Sequence, residues 1–221
     1  MGSSHRIERE RLEKRARILD AARDLFVERG VEKVTLREIA QRIEYSTTAI
    51  YVQFRDKAAL VNAMVTEDFA TFAKGLEATA KIADPVARIH AMHLAYIDFA
   101  LAMPRHYQLL FLTPPIVTPS EPEADTPAGI DGYRVLLGAV EECIRTQRFR
   151  AELVDANAVA QTVWAAVHGL VSLQIVVGRH DEFRWASRDS LTRTSYEMIM
   201  RGLLRDPGEI GKPRRAKARA R

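Results

Sequence analysis

Apolar residues recur three and four positions apart along almost the whole chain, the spacing of a helix face rather than of a strand. Ile18, Leu19, Ala22, Leu25 and Phe26 make one stripe on a first helix from about Glu8 to Glu28. Gly30 follows where a left-handed residue beyond the last turn would end it. Thr35 is placed to cap a second helix, "LREIAQRI", with Glu38 three residues on in capping-box register. Its apolar face is Leu36, Ile39, Ala40 and Ile43. After a break at Glu44 and Tyr45, Ser46 caps a third helix. Ala49, Ile50 and Phe54 form its inward set, leaving Thr47, Thr48, Tyr51 and Gln53 outside. At about two turns each, neither short helix is stable alone, so both must pack on the first.

Downstream the same period continues. Asp56 caps a long helix carrying Leu60, Met64, Phe69 and Phe72, and Pro85 sits at the tolerated first position of another, with Ile89, Met92, Leu94, Ile97 and Phe99. Met103-Pro104 breaks that helix before a shorter one, "RHYQLLFL". An irregular loop then holds five of the nine prolines: Pro114, Pro115, Pro119, Pro122 and Pro127. Three further helices are expected over about Ile130–Arg148, Asp155–Val177 and Glu182–Leu204. The fold class is all-α, with a three-helix unit over residues 8–55, a larger helical domain over 56–204, and a basic, disordered tail over 205–221.

Composition adds bounds rather than direction. With 221 residues, 47% of them hydrophobic, the chain can bury a sizeable core. The net charge of +4 decides nothing without the positions of the charges. The lone Cys143 cannot close an intrachain disulfide, which suits a reducing cytosol, and it reads as a small apolar side chain. No run approaches the ~20 apolar residues of a membrane span, and the N-terminus lacks a signal-peptide core. A cytoplasmic protein without a membrane partner is expected. No nucleophile–base pair or metal-ligand spacing stands out, so neither enzyme activity nor a metal or cofactor is expected. The rival reading is a small all-α enzyme using His168 with Glu141 or Glu142.

Three helices, the last two joined by a tight turn, describe a helix-turn-helix, whose second short helix enters the major groove of double-stranded DNA. Small side chains at Ser46, Thr47 and Thr48 would let the backbone approach closely and meet base edges, and Tyr45 stands at the mouth of the same helix. Tyr51, Gln53 and Lys57, with Thr35 and Arg37 from the preceding helix, are the candidates for phosphate contact.

The stretch "ILDAARDLFVERGVEKVTLREIAQRIEYSTTAIYVQFRDKAALV" resembles the DNA-binding domain of TetR-family transcriptional regulators. The likeness rests on the Gly30 break, Thr35 to Ala40, Ser46, Ile50-Tyr51, Phe54 and Lys57 to Leu60. It implies phosphate contacts for Tyr51 and Lys57 and base reading for residues 46–48. Three positions depart from the pattern: Glu44 stands where the family usually has glycine, Tyr45 where it has a small aliphatic residue, and Gln53 where histidine is frequent.

Farther on, "WAAVHGLVSL" resembles the Trp-His-Gly segment of one group of TetR-type C-terminal domains, with Gly169 read as allowing close helix packing. The resemblance implies an apolar effector pocket, for which Tyr96, Phe99, Met103, Tyr107, Phe111, Tyr133, Trp164 and His168 are the candidates. The last two helices carry the dimerisation candidates: Val163, Val167, Leu170, Leu173 and Ile175, then Leu191, Met198, Ile199 and Leu203. The expected function is a homodimeric, ligand-responsive repressor that binds a palindromic operator and is released by a small molecule. The alternative within the same class is a DNA-binding regulator whose C-terminal domain binds a protein.

Overall fold

The computed structural model describes residues 2–113, 128–178 and 184–210. Among these, α1 (Gly2–Arg29), α2 (Leu36–Arg42), α3 (Thr47–Gln53), α4 (Lys57–Ala80) and α5 (Pro85–Ala102) follow one another. After them come α6 (Pro104–Tyr107), α7 (Ala128–Arg145), α8 (Ala156–Val176) and α9 (Arg188–Leu203). Single 3₁₀ turns lie at Val31–Lys33 and Pro207–Glu209, and a π-helical turn at Gln108–Leu112 continues α6. The all-α expectation holds. The last helix begins at Arg188, where the Ser187 hydroxyl accepts from the Ser190 N–H, and not at Glu182. The proline-rich loop, Glu182 and residues 211–221 lie outside the described residues.

By internal contacts the chain forms two compact units: Met1–Ala70 with Met103–Asp125, and Thr71–Ala102 with Thr126–Arg221. The division falls within α4, not at residues 55/56, and assigns α6 and its π turn to the first unit. The core of that unit is the α1 stripe (Ile18, Leu19, Ala22, Leu25, Phe26), closed by Leu36, Ile39 and Ala40 of α2, Ile50 and Phe54 of α3, Leu60 and Met64 of α4, and Leu109. A buried ion pair adds to it. Arg23 on α1 donates through Nη2 and Nε to Asp68 on α4 at 2.6 and 3.0 Å. The exposed Gly30 ends α1 at φ 83° and ψ 148°, a conformation open essentially to glycine alone, with an extended ψ in place of the expected left-handed helical one.

The second unit is a helical bundle in which α5 packs on α7, α8 and α9, and α8 on both α7 and α9. Its interior includes Ile89, Tyr96 and Ile97 of α5, Val140 and Cys143 of α7, Val163, Val167 and Val171 of α8, and Tyr196 and Met200 of α9. Burial pushes the Cys143 thiol up to about 12, leaving it a packing group. By length and composition α8 is apolar enough to cross a bilayer, against the expectation from sequence. Val159, Ala160, Val163, Val167 and Val171 are nevertheless buried within the chain.

Leu204 pairs antiparallel with Phe149, and the Arg205 N–H donates to the Arg148 carbonyl at 2.9 Å. Within the α5–α9 contact, His93 is 4% exposed and its Nε2 lies 3.0 Å from Ser195 Oγ, which donates to the Thr192 carbonyl. His90 stacks on Tyr196 beside it, with ring centroids 4.1 Å apart. Burial lowers His93 to about 4. The unfolded chain therefore binds a proton below about pH 6.5 that the folded unit refuses until about pH 4. This contribution to stability is complete above pH 6.5 and lost as pH falls towards 4. Thermal unfolding of His93→Gln is expected to flatten that fall, and an unchanged pH profile would contradict the assignment.

Candidate nucleic-acid interface

Local sequence builds the two short helices before packing fixes them. Thr35 and Glu38 complete a capping box: the Thr35 N–H donates to Glu38 Oε2 at 2.8 Å, and the Glu38 N–H to Thr35 Oγ1 at 3.3 Å. These bonds and Arg29 hold the Glu38 carboxyl at about 2. Thr35 Oγ1 donates to the same carboxylate at 2.8 Å, so its hydroxyl serves the cap rather than a phosphate. The Ser46 hydroxyl caps α3 by accepting from the Ala49 N–H at 3.2 Å.

The turn between the helices is a Schellman arrangement. The Tyr45 N–H donates to the Ala40 carbonyl at 2.9 Å and the Glu44 N–H to that of Gln41 at 3.2 Å. Its left-handed position belongs to Glu44, at φ 59°. Tyr45, in the next position, folds back against the core of the first unit. Its hydroxyl accepts from Arg17 Nη1 at 3.3 Å, and the Arg17 guanidinium stands 5.9 Å from the ring centroid. Tyr45 is therefore half-buried and anchored, not a free groove-reading side chain.

What α3 presents to solvent is narrower than its outward set suggested. Thr48 and Tyr51 are exposed, whereas Thr47 and Gln53 are half-buried. Val52, which the sequence reading left out, is 77% exposed. Its signal was present: Thr48, Tyr51 and Val52 follow at i, i+3 and i+4, one helix face, and Arg55 lies just beyond the end of α3. Arg55, also exposed, pairs with Asp56. On the flanks, Arg37 is exposed and makes no ion pair among the described residues, and half-buried Lys57 directs Nζ to the Glu32 carbonyl at 3.4 Å. The first unit thus offers a small hydroxyl, a phenol and an isopropyl group on one rigid helix face, flanked by cations. That is chemistry for a duplex groove.

In the second unit, Tyr96, His168 and Trp164 converge. Trp164 Nε1 donates to Tyr96 Oη at 3.2 Å, and the same phenol oxygen lies within hydrogen-bond distance of His168 Nδ1 at 3.0 Å. Burial lowers the His168 imidazole from its ordinary value. Tyr133 meets Trp164 at 6.1 Å between ring centroids, and Phe72 contacts both Tyr96 and Phe99. Met103, Tyr107 and Phe111 belong to the first unit, where Tyr107 is fully buried and Phe111 meets Phe69 edge-on. The acids of the enzyme reading lie elsewhere: Glu142 pairs with Arg88 and Glu141 is exposed. A Cβ added to Gly169 meets nothing within 4 Å, so close helix packing does not explain it.

Comparison with known proteins agrees with this arrangement. Residues 18–64 match the family model for bacterial regulatory proteins of the tetR family, and residues 89–201 that of a tetracyclin repressor-like C-terminal domain. The chain belongs to the TetR family. Over 55 residues it is 47% identical to the HTH-type transcriptional repressor Rv1474c of Mycobacterium tuberculosis, a match covering 25% of this chain and 29% of that protein. Two solved structures share the fold at larger coverage. AibR in complex with isovaleryl coenzyme A and operator DNA superposes with a TM-score of 0.69 at 18% identity, over 85% of this chain and 98% of that one. FadR of Bacillus subtilis in complex with stearoyl-CoA does so at 0.63 and 16%, with the same coverages.

A left-handed Glu44 carries a strain of about 1 kcal/mol that glycine would not. Glu44→Gly is therefore expected to raise the melting temperature of the 221-residue chain by about 2–4 °C. A fall on thermal unfolding would contradict this reading of the turn.

Proposed function

We propose that the protein is a transcriptional repressor that binds a palindromic operator as a dimer and is released by a small molecule. The observation that carries this reading is the exposure of Thr48, Tyr51 and Val52 on a helix pinned by Ile50 and Phe54 to the α1 core. In a helix-turn-helix the N-terminal part of that helix meets base edges while its neighbours meet phosphates. Thr48 and Val52 supply the base contacts, Val52 through thymine methyl groups, and Tyr51, Arg37 and Lys57 the phosphate contacts. Within a second-unit pair, the dimer face is the exposed apolar set Leu173 and Val176 of α8 and Met198 of α9. Val163, Val167 and Leu203, grouped with that face on sequence grounds, are buried inside the chain and stabilise the bundle instead.

The DNA-binding assignment makes a differential prediction. Tyr51→Ala should weaken binding to every duplex and reduce the salt slope by about 1 per chain, whereas Thr48→Ala or Val52→Ala should change the preferred sequence. Competition binding between selected and random duplexes separates the two. If Thr48→Ala and Val52→Ala leave the sequence preference intact, α3 does not read the groove.

For the effector, the trio Tyr96, His168 and Trp164 supplies hydrogen-bonding groups beside the rings of Phe72, Phe99 and Tyr133, suited to an apolar molecule carrying a carbonyl. The ligands of AibR and FadR, isovaleryl coenzyme A and stearoyl-CoA, make acyl thioesters the class to test. An effector must bind the released state better than the DNA-bound one. At a hundred times its Kd it adds about 2.7 kcal/mol to stability. Isovaleryl- or stearoyl-CoA is expected to raise the melting temperature and to release operator DNA, with both effects reduced in Tyr96→Phe. No shift with either thioester would exclude the class.

A further inference from the structure

α1 runs well beyond the core that it supports. Its first core residue is Ile18, and the side chains described between His5 and Arg17 are exposed except for half-buried Arg15. At 1.5 Å per residue the part before Ile18, some sixteen residues, reaches about 24 Å. This extension carries alternating charge, and most of its cations are neutralised locally. Arg6 pairs with Glu10, Arg9 with Glu13, and Arg11 with Glu8. Arg15 pairs with Glu67 and lies 4.8 Å over the Phe54 ring, which makes it part of the packing.

Two cations differ. Lys14 and Arg17, exposed and three residues apart on neighbouring positions of the helix surface, make no ion pair among the described residues. Arg17 is held by a neutral group: Nη1 donates to the Tyr45 hydroxyl at 3.3 Å, and the guanidinium stands over the same ring. Tyr45 immediately precedes Ser46, the N-cap of α3. A cation fixed there stands at the mouth of the helix end that meets base edges, where the groove wall is phosphate. A guanidinium held by a phenol keeps its full charge and the rest of its donor fork.

The geometry points to a second DNA-contacting element, in which Arg17, positioned by Tyr45, and Lys14 one turn before it bind backbone phosphates beside the half-site read by α3. This rests on the DNA-binding function proposed above. It also gives the large residue at position 45 a purpose: Tyr45 orients a phosphate-binding arginine from α1. Because these contacts are to phosphate, they add affinity and salt dependence without changing the preferred sequence.

The test is a salt titration of full-length protein on its selected operator duplex, read by fluorescence anisotropy between 50 and 200 mM KCl. Each phosphate contact contributes about 0.9 to the slope of log affinity against log salt, or roughly three- to fourfold in affinity over that range. Arg17→Ala is expected to lower the slope by about 0.9 per chain, and the Lys14→Ala, Arg17→Ala double variant by about twice that. Arg17→Lys retains most of the slope, and Tyr45→Phe loses part of it. Arg11→Ala, whose guanidinium is already bonded to Glu8, retains all of it. Thermal unfolding of Arg17→Ala stays at the parental temperature. An unchanged slope in Arg17→Ala, or weaker binding with an unchanged slope, gives Arg17 a structural role and overturns the proposal. If the parent selects no duplex at all, the DNA-binding reading falls and takes this one with it. If the parent binds and only the Arg17 slope is unmoved, this proposal alone fails.

Discussion

The first unit depends on burial of two helices that cannot stand by themselves. α2 and α3 have seven residues each, and beyond their caps they are held mainly by laying Leu36, Ile39, Ala40, Ile50 and Phe54 on the α1 stripe. α1 is fixed in turn by the buried Arg23–Asp68 pair to α4. Removing Arg23 would strand the buried Asp68 carboxylate, a loss of about 3–5 kcal/mol. The outward face of α3 is held in place because the opposite face is core.

That constraint also decides which polar groups remain for a ligand. The hydroxyls of Thr35 and Ser46 are committed to caps, Glu38 to its box with Arg29, and the Tyr45 phenol to Arg17. With these internal demands met, the outward chemistry of α3 reduces to Thr48, Tyr51 and Val52. In the second unit the same economy operates differently. Trp164, Tyr96 and His168 are linked by hydrogen bonds among aromatic rings, which orients the three polar groups with respect to one another.

Much of this was legible from residues alone. The helical period located all the major helices, and the Thr35–Glu38 spacing identified a capping box that the structure contains. The Glu44 position was legible through the family resemblance, in which glycine is usual there, and φ 59° is the left-handed conformation it adopts. Other features depend on contacts between distant parts of the chain, which spacing does not encode. Sequence placed Tyr45 in the interface, but its partner Arg17 lies 28 residues away. The candidate pocket mixed residues of both units because aromatic content does not reveal which core a ring joins. Val163 and Val167 were grouped with Leu173 as one apolar side, although the helix divides them between interior and surface. The start of α9 was misplaced by six residues, since the cap is Ser187 and the apolar period before it is weak.

The most direct test of groove reading by a dimer is selection from a random duplex library, with the mass of the selected complex measured in solution. Groove reading by a dimer predicts enrichment of an inverted repeat bound by two chains, its half-site centres about 34 Å apart or a multiple of that spacing. Enrichment of no sequence, or of a single half-site bound by one chain, would contradict it.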